Sequence, residues 1–382
     1  MRRSPPVVAA IFCVAMATAF SASTFPHWML GPFTRPANDA PVITPKPSAT
    51  FHDPLRAAPV HWEAQHTFNP AAIVRNGKVF VLYRAEDDTG KNTIGMHTSR
   101  LGLATSDDGI HFTQSPEPVF YAAKDAQMSR EWPGGVEDPR IVQAEDGTYV
   151  LTYTQWNRKT YDIGIATSKD LLHWTKYGPA FGSTGKYANL RYKSAGILTR
   201  LDGDHLVAAK LQGRYWMYWG EGYIGLATSN DLIHWNPMEG ADGKPLVLLA
   251  PRAGRFDSAL PEVGPPALLT KNGILLIYNG KNGGHAAIGA DGKAALAPDL
   301  SLPSSTYSVG QTLFSATNPA QPLKRTNHPF FKPEMPFERS GQYAAGTTFA
   351  EGLVFFHGKW HLYYGCADSL VGVAVANPSS VP

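Results

Sequence analysis

GLATSDDGIHF at Gly102–Phe112, GIATSKDLLHW at Gly164–Trp174 and GLATSNDLIHW at Gly225–Trp235 are three near-copies of one segment, 62 and 61 residues apart. Each reads as a strand, a turn built on Ser, Asp or Asn, and an aromatic anchor, which suits hairpins in a radial array of sheets. A second recurrence counts the units. A turn glycine followed by an alternating apolar strand occurs at Gly77 (VFVLYR), Gly147 (TYVLTYT), Gly203 (DHLVAAK), Gly273 (ILLIYNG) and Gly358 (KWHLYYG). Five strong strands, each followed by weaker outer strands, predict an all-β fold: a five-bladed β-propeller with four-stranded antiparallel blades. VGVAVA at Val371–Ala376 resembles the outer strands and is expected to complete the last sheet. Pro or Gly interrupts nearly every helical window, in keeping with 31 prolines and 36 glycines in 382 residues.

The two ends of this array differ in character. Arg2 and Arg3 precede an apolar run from Val7 to Phe20 that ends in Ser21, Ala22 and Ser23. That layout makes residues 1–23 a cleaved secretory signal and the mature protein an exported one, periplasmic or extracellular. Residues 24–60 read as a Pro-rich extended segment lying along the propeller, and residues 61–382 as the catalytic domain. No later stretch is long and apolar enough to cross a bilayer, so no membrane insertion is expected after processing. Cys13 falls within the signal, leaving Cys366 alone and without an intramolecular disulfide. A formal charge of +3, without a dense Lys/Arg stripe, argues against a nucleic-acid partner.

The chemistry is sought where first strands meet the shared funnel. Trp132-Pro-Gly-Gly-Val-Glu-Asp-Pro-Arg140 is the most unusual local sequence. Its glycines allow close approach to the axis, Pro139 fixes the backbone after Asp138, and Arg140 offers a fork for one acidic group. The same residues could also form a purely structural turn and ion-pair cluster. Glu221 follows the aromatic run Tyr215–Trp219, and Glu262 stands ahead of the fourth strong strand, as Asp138 stands ahead of the second. Acetal cleavage needs an acid at the leaving oxygen and, for inversion, a base for the incoming nucleophile, which a mixed Asp/Glu set can supply. Trp132, Trp156, Trp216 and Trp219 would offer apolar faces to a sugar. There is no His or Cys cluster at zinc spacing, no Walker loop, no dinucleotide fingerprint and no serine elbow, so neither a metal nor a cofactor is expected. His285 is a lone loop histidine.

NPAAI at Asn69–Ile73, YRAED at Tyr83–Asp87, GGVEDPRI at Gly134–Ile141, the ATSKDLLHW repeats and YYGCADS at Tyr363–Ser369 resemble the motifs of glycoside hydrolase family 130. That family comprises five-bladed propellers acting on β-mannosides as phosphorylases or hydrolases. The resemblance runs from about Asn69 to Ala376. It implies that Asp138 is the catalytic acid and that Asn69, Arg84 and Asp368 hold the mannosyl ring. YWMYWGE and PEVGPP resemble the hydrolytic branch, where two glutamates replace the phosphate site; here these are Glu221 and Glu262, without a choice between them as base. Tyr278 is followed by Asn279 where phosphorylases typically carry His. Lys210, at the end of the third strong strand, and Arg140 complete the expected substrate contacts. The expectation is thus an exported inverting β-mannosidase acting on a mannose-containing oligosaccharide, β-1,2-linked. A phosphorylase and a non-catalytic sugar-binding propeller are the rivals.

Overall fold

The computed structural model describes residues 25–36, 40–91, 93–284 and 295–378. The proposed signal and His285 lie outside them. The chain is mostly β, as composition and turn spacing predict, and it runs as five successive antiparallel units. Unit one comprises His66–Arg75, Lys78–Glu86, Ser99–Ser106 and Thr113–Gln114; unit two, Gly135–Gln143, Tyr149–Trp156, Tyr161–Ser168 and Trp174–Pro179. Unit four is built on Leu260–Val263, Gly273–Lys281, Tyr307–Phe314 and Pro322–Arg325, and unit five on Thr348–Phe356, Lys359–Cys366 and Leu370–Ala376.

Unit three corrects the expected register. The segment GLATS, Gly225–Ser229, pairs with Arg214–Trp219, just as the first two copies pair with Lys78–Glu86 and Tyr149–Trp156. Arg214–Trp219 is therefore the counterpart of the other strong strands. His205–Ala208, which follows Gly203, instead folds back on Thr199–Asp202. All five aromatic and Met side chains from Tyr215 to Trp219 are buried. The strand is covered on both faces, so the alternation expected of a half-exposed strand does not apply.

One device recurs in every unit. The strong strand carries, in its second half, an aromatic whose ring lies over a glycine of the next strand: Tyr83 over Gly102, Tyr153 over Gly164, Trp219 over Gly225, Tyr278 over Gly310 and Tyr364 over Gly372. A methyl at any of these glycines would meet the ring within 3.0 Å. The four tyrosines each donate to a buried carboxylate ahead of their unit: Glu63, Glu131, Asp257 and Glu338. Gln114, Lys176 and Arg325, from the fourth strands of units one, two and four, bind the first three acids. In unit five that place is taken by Arg35, which grips Glu338 through Nε at 2.7 Å and a terminal nitrogen at 2.8 Å. Thr34 and Ile43 bridge to Val375 and Val371, so the Pro-rich segment, expected only to lie alongside, covers the outer edge of the last sheet.

Among the described residues the core falls into five apolar clusters, each built mainly by two units. Leu82, Leu103, Leu151 and Tyr153 join units one and two, and Val150, Ile165, Met217 and Trp235 join two and three. Trp216, Leu226, Leu276 and Phe314 join three and four; Leu275, Leu313, Leu353 and Leu362 join four and five. Val81, Tyr83, Val354 and Tyr363 join five to one. Neighbouring residues of a strand thus face different sheets, Leu82 one way and Tyr83 the other, as the two-residue period requires.

Candidate active site

Functional side chains emerge where first strands are interrupted. In unit one the pairing shifts between Phe68 and Pro70, and in unit two between Glu137 and Arg140. Such bulges re-aim a side chain. Asn69 and Asp138 take up the turn with φ of 48° and 46°, a left-handed conformation that short polar side chains tolerate better than branched ones. The Asn69 amide donates to Asp138 Oδ1 at 2.8 Å, and an Arg84 terminal nitrogen lies 3.2 Å from the same oxygen. These residues line a cavity of 310 Å³ together with Glu137, Lys193, Glu221, Glu262 and Asp368.

Lys193 joins the site's carboxylates. Its Nζ lies 3.7 Å from Asp138 Oδ2, 3.7 Å from Glu221 Oε1 and 3.8 Å from Glu262 Oε1. Sharing one ammonium keeps Asp138 Oδ2 and Glu262 Oε1 within about 7.5 Å of one another, a bound that admits the roughly 5–5.5 Å spacing of retaining glycosidases and only the lower end of the roughly 6.5–9.5 Å spacing of inverting ones. Glu221 and Glu262 also face one another through a β-bridge. Residues distant in sequence therefore meet around a hollow of sugar dimensions.

The electrostatics separate these acids. Burial pushes the Glu262 carboxyl up to about 7; Lys193 opposes the shift and Glu221 reinforces it. Ser194 donates to Glu262 Oε1 at 2.5 Å, while Oε2 has no protein hydrogen-bond partner among the described residues. Glu137 is also pushed up to about 7, and Asp368 to about 6, burial leading in both. Asp138 goes the other way. Burial would raise it, but Arg84, Lys193, the Asn69 hydrogen bond and Arg140 together hold it well below the usual carboxylate range. Burial works against the Lys193 charge too, yet Glu221, Glu262 and Asp138 push its pKa well above the ordinary value.

Three expectations require correction. Arg140 does not line the cavity. It is fully buried, pairs with Glu351 at 2.9 Å and donates to the carbonyls of Asp138, Val263 and Gly264. It therefore ties the strand of Asp138 to that of Glu262, with its donors spent inside the protein. Lys210 is exposed, with Nζ 4.8 Å from the Tyr215 ring centroid. It lies just beyond the strand that follows Gly203, which is not the counterpart of the other strong strands. Among the four tryptophans, only Trp156 lines the cavity, whereas Trp216 and Trp219 are core. Lys193 carries no signal in the sequence, since RYKSAG has no informative spacing; it stands just before the strand Ala195–Ile197, which pairs with Arg214–Trp219.

The family profile described as beta-1,4-mannooligosaccharide phosphorylase, glycoside hydrolase family 130, matches residues 40–381. The chain belongs to glycoside hydrolase family 130. Within this family it is 31% identical over 341 residues to a 1,2-beta-oligomannan phosphorylase of Thermoanaerobacter sp. (strain X514), covering 88% of this chain and 95% of that protein. A putative glycosidase from Bacteroides thetaiotaomicron VPI-5482 is 50% identical, with a TM-score of 0.88 over 93% of this chain and 99% of its own. A second solved structure is 49% identical with a TM-score of 0.88, over 93% of this chain and 96% of that one. It is described in work on family 130 hydrolases that target β-1,2 mannosidic linkages in Candida mannan. The chain is thus a β-mannoside-active enzyme whose close relatives are glycosidases.

Proposed function

We propose that this member of glycoside hydrolase family 130 is an exported, inverting β-mannosidase specific for β-1,2 linkages, built as a five-bladed propeller. The cyclic order of the five apolar clusters, with units five and one sharing the last, supports the propeller. Export rests on the amino-terminal sequence pattern. The linkage follows the close hydrolytic relative.

One observation carries hydrolysis over phosphorolysis. The described cavity residues include five carboxylates, Glu137, Asp138, Glu221, Glu262 and Asp368, against only two cations, Arg84 and Lys193. Arg84 is committed to Glu86, Glu137 and Asp138, and Lys193 to Asp138, Glu221 and Glu262. An incoming phosphate dianion would meet Glu221 and Glu262 rather than unpaired basic groups, and like charges repel it. Water meets no such barrier. Glu262, near neutrality and with one oxygen free of protein partners, suits a general base, with Glu221 beside it. Water attacks the anomeric carbon as the bond to the leaving oxygen breaks; the glutamate takes the water's proton, and the leaving oxygen receives one from Asp138 directly or through a substrate hydroxyl.

The low pKa of Asp138 favours a second assignment, in which its carboxylate is the base and Glu262 the acid. The two readings separate on 2,4-dinitrophenyl β-mannoside, whose leaving group needs no proton. If Asp138 is the acid, Asp138→Asn loses several powers of ten on mannobiose but far less on the aryl substrate; equal losses on both would transfer the role. Phosphate decides the reaction class. Mannose release from β-1,2-mannobiose should be independent of phosphate, and a strict phosphate requirement yielding mannose 1-phosphate would refute hydrolysis.

A further inference from the structure

His66 and Glu86 stand directly opposite one another across the first two strands of unit one. His97, just ahead of the third strand, packs edge-on against His66 with ring centroids 5.8 Å apart. One donor atom from each of the three lies within 4.8 Å of the others. His97 is 2% exposed, and among the described residues none of the four ring nitrogens of His66 and His97 has a hydrogen-bond partner. Buried imidazoles normally find a partner for at least one nitrogen, so four unsatisfied nitrogens in one place call for an explanation. Apolar packing does not supply one, because Glu86, fully buried, sits among them.

We propose that His66, Glu86 and His97 form a binding site for a late first-row divalent cation, with zinc the natural probe. Two imidazoles and one carboxylate suit zinc and its neighbours, whereas calcium and magnesium prefer oxygen donors. Bonds of about 2.0–2.2 Å put donors roughly 3–4 Å apart around the ion. The observed set therefore needs only a small inward rotation of side chains. Glu86 already has an outer shell: Arg84 lies 2.6 Å from Oε1, and the Gln342 amide donates to Oε2 at 3.0 Å. Such partners orient a ligating carboxylate. A positive ion is also welcome here, since the Arg84 charge is divided among Glu86, Glu137 and Asp138.

The site has a structural consequence for the cavity. Ile94 and Gly95, close ahead of His97, form part of the cavity wall, and Trp156 Nε1 donates to the Gly95 carbonyl. A metal bound to His97 would pin this lip to the first two strands. Sequence offers no warning of it, because the three ligands are spread over more than thirty residues without a metal-binding spacing. The inference is independent of whether the enzyme hydrolyses or phosphorolyses its substrate.

Zinc titrated into the chelator-treated full chain against a chromophoric chelator should reveal one tight equivalent and raise the melting temperature. His66→Ala and His97→Gln should each weaken binding by more than about 100-fold, beyond the 10–100-fold typical of outer-shell partners. Cobalt should give a d–d absorption band in the wild type that both variants lose. The exposed Asp–His pairs of the three repeated turns, at His111, His173 and His234, are the competing location. A triple alanine variant at those positions should keep the tight site. Equal affinity in wild type and His97→Gln, loss in the triple variant alone, or no competition by folded wild-type protein would each overturn the proposal.

Discussion

Lys193→Met removes the one positive charge that three active-site carboxylates share. Opposite charges 3.7 Å apart attract by about 4–5 kcal/mol at an effective dielectric of about 20, so each pair is worth roughly three pKa units before water relaxes around the gap. Solvent entering the vacated space should leave a net effect of roughly one to two units. The sign is fixed by the role. A general base works ionised, and Glu262 titrates near 7, so wild-type kcat/KM should rise with pH through that value. Lys193 favours the ionised form; without it the limb should move to higher pH. At pH 7 kcat/KM should fall about 5- to 50-fold and recover in part toward pH 9. Lys193→Arg should retain most of the wild-type profile, although its planar fork fits three convergent oxygens less well. A pH–rate series on β-1,2-mannobiose reads the limb directly. A uniform loss at every pH, with the limb still near 7, would mean that Lys193 only binds sugar and does not set the ionisation of its neighbours.

Three further outcomes test other parts of the structure. Arg35→Ala strips the bidentate partner from buried Glu338 and should destabilise the protein by about 2–3 kcal/mol in chemical denaturation, with kcat unchanged once folded; an unaltered midpoint would refute the latch. Gly164→Ala places a methyl 2.6 Å from the Tyr153 ring and should cost about 1–3 kcal/mol by calorimetry. Lys210→Ala should leave kcat/KM within about twofold on mannobiose, since its side chain reaches no cavity residue; a tenfold loss would return it to the site.

Much of this was legible in the sequence, for identifiable reasons. The GLATS copies and five turn glycines reported the units because each unit needs the same hairpin chemistry. Asp138, Glu221 and Glu262 could be found because each breaks a strand pattern with Gly or Pro beside a carboxylate. The failures share one cause, that sequence period does not reveal pairing. The strand after Gly203 matches the expected pattern but is not the counterpart of the other strong strands, so Lys210, just beyond its end, lies outside the site. Arg140 was read by proximity to Asp138, but its guanidinium reaches across to Val263 and Gly264, more than a hundred residues away. Lys193 and the Tyr–carboxylate latches leave no local trace, since their partners are set only by tertiary geometry.

The seat of Thr34 against Val375 joins points separated by 341 residues. Thr34 has no mate until Val375 has been made, so its seat stays vacant through the synthesis of the five units between them. The Pro-rich segment around Thr34 and Ile43 must therefore wait without its sheet partner during synthesis, and the edge of Leu370–Ala376 is covered as soon as that strand folds. Loss of the strand Leu370–Ala376 would in this way unfasten Thr34 and Ile43 as well.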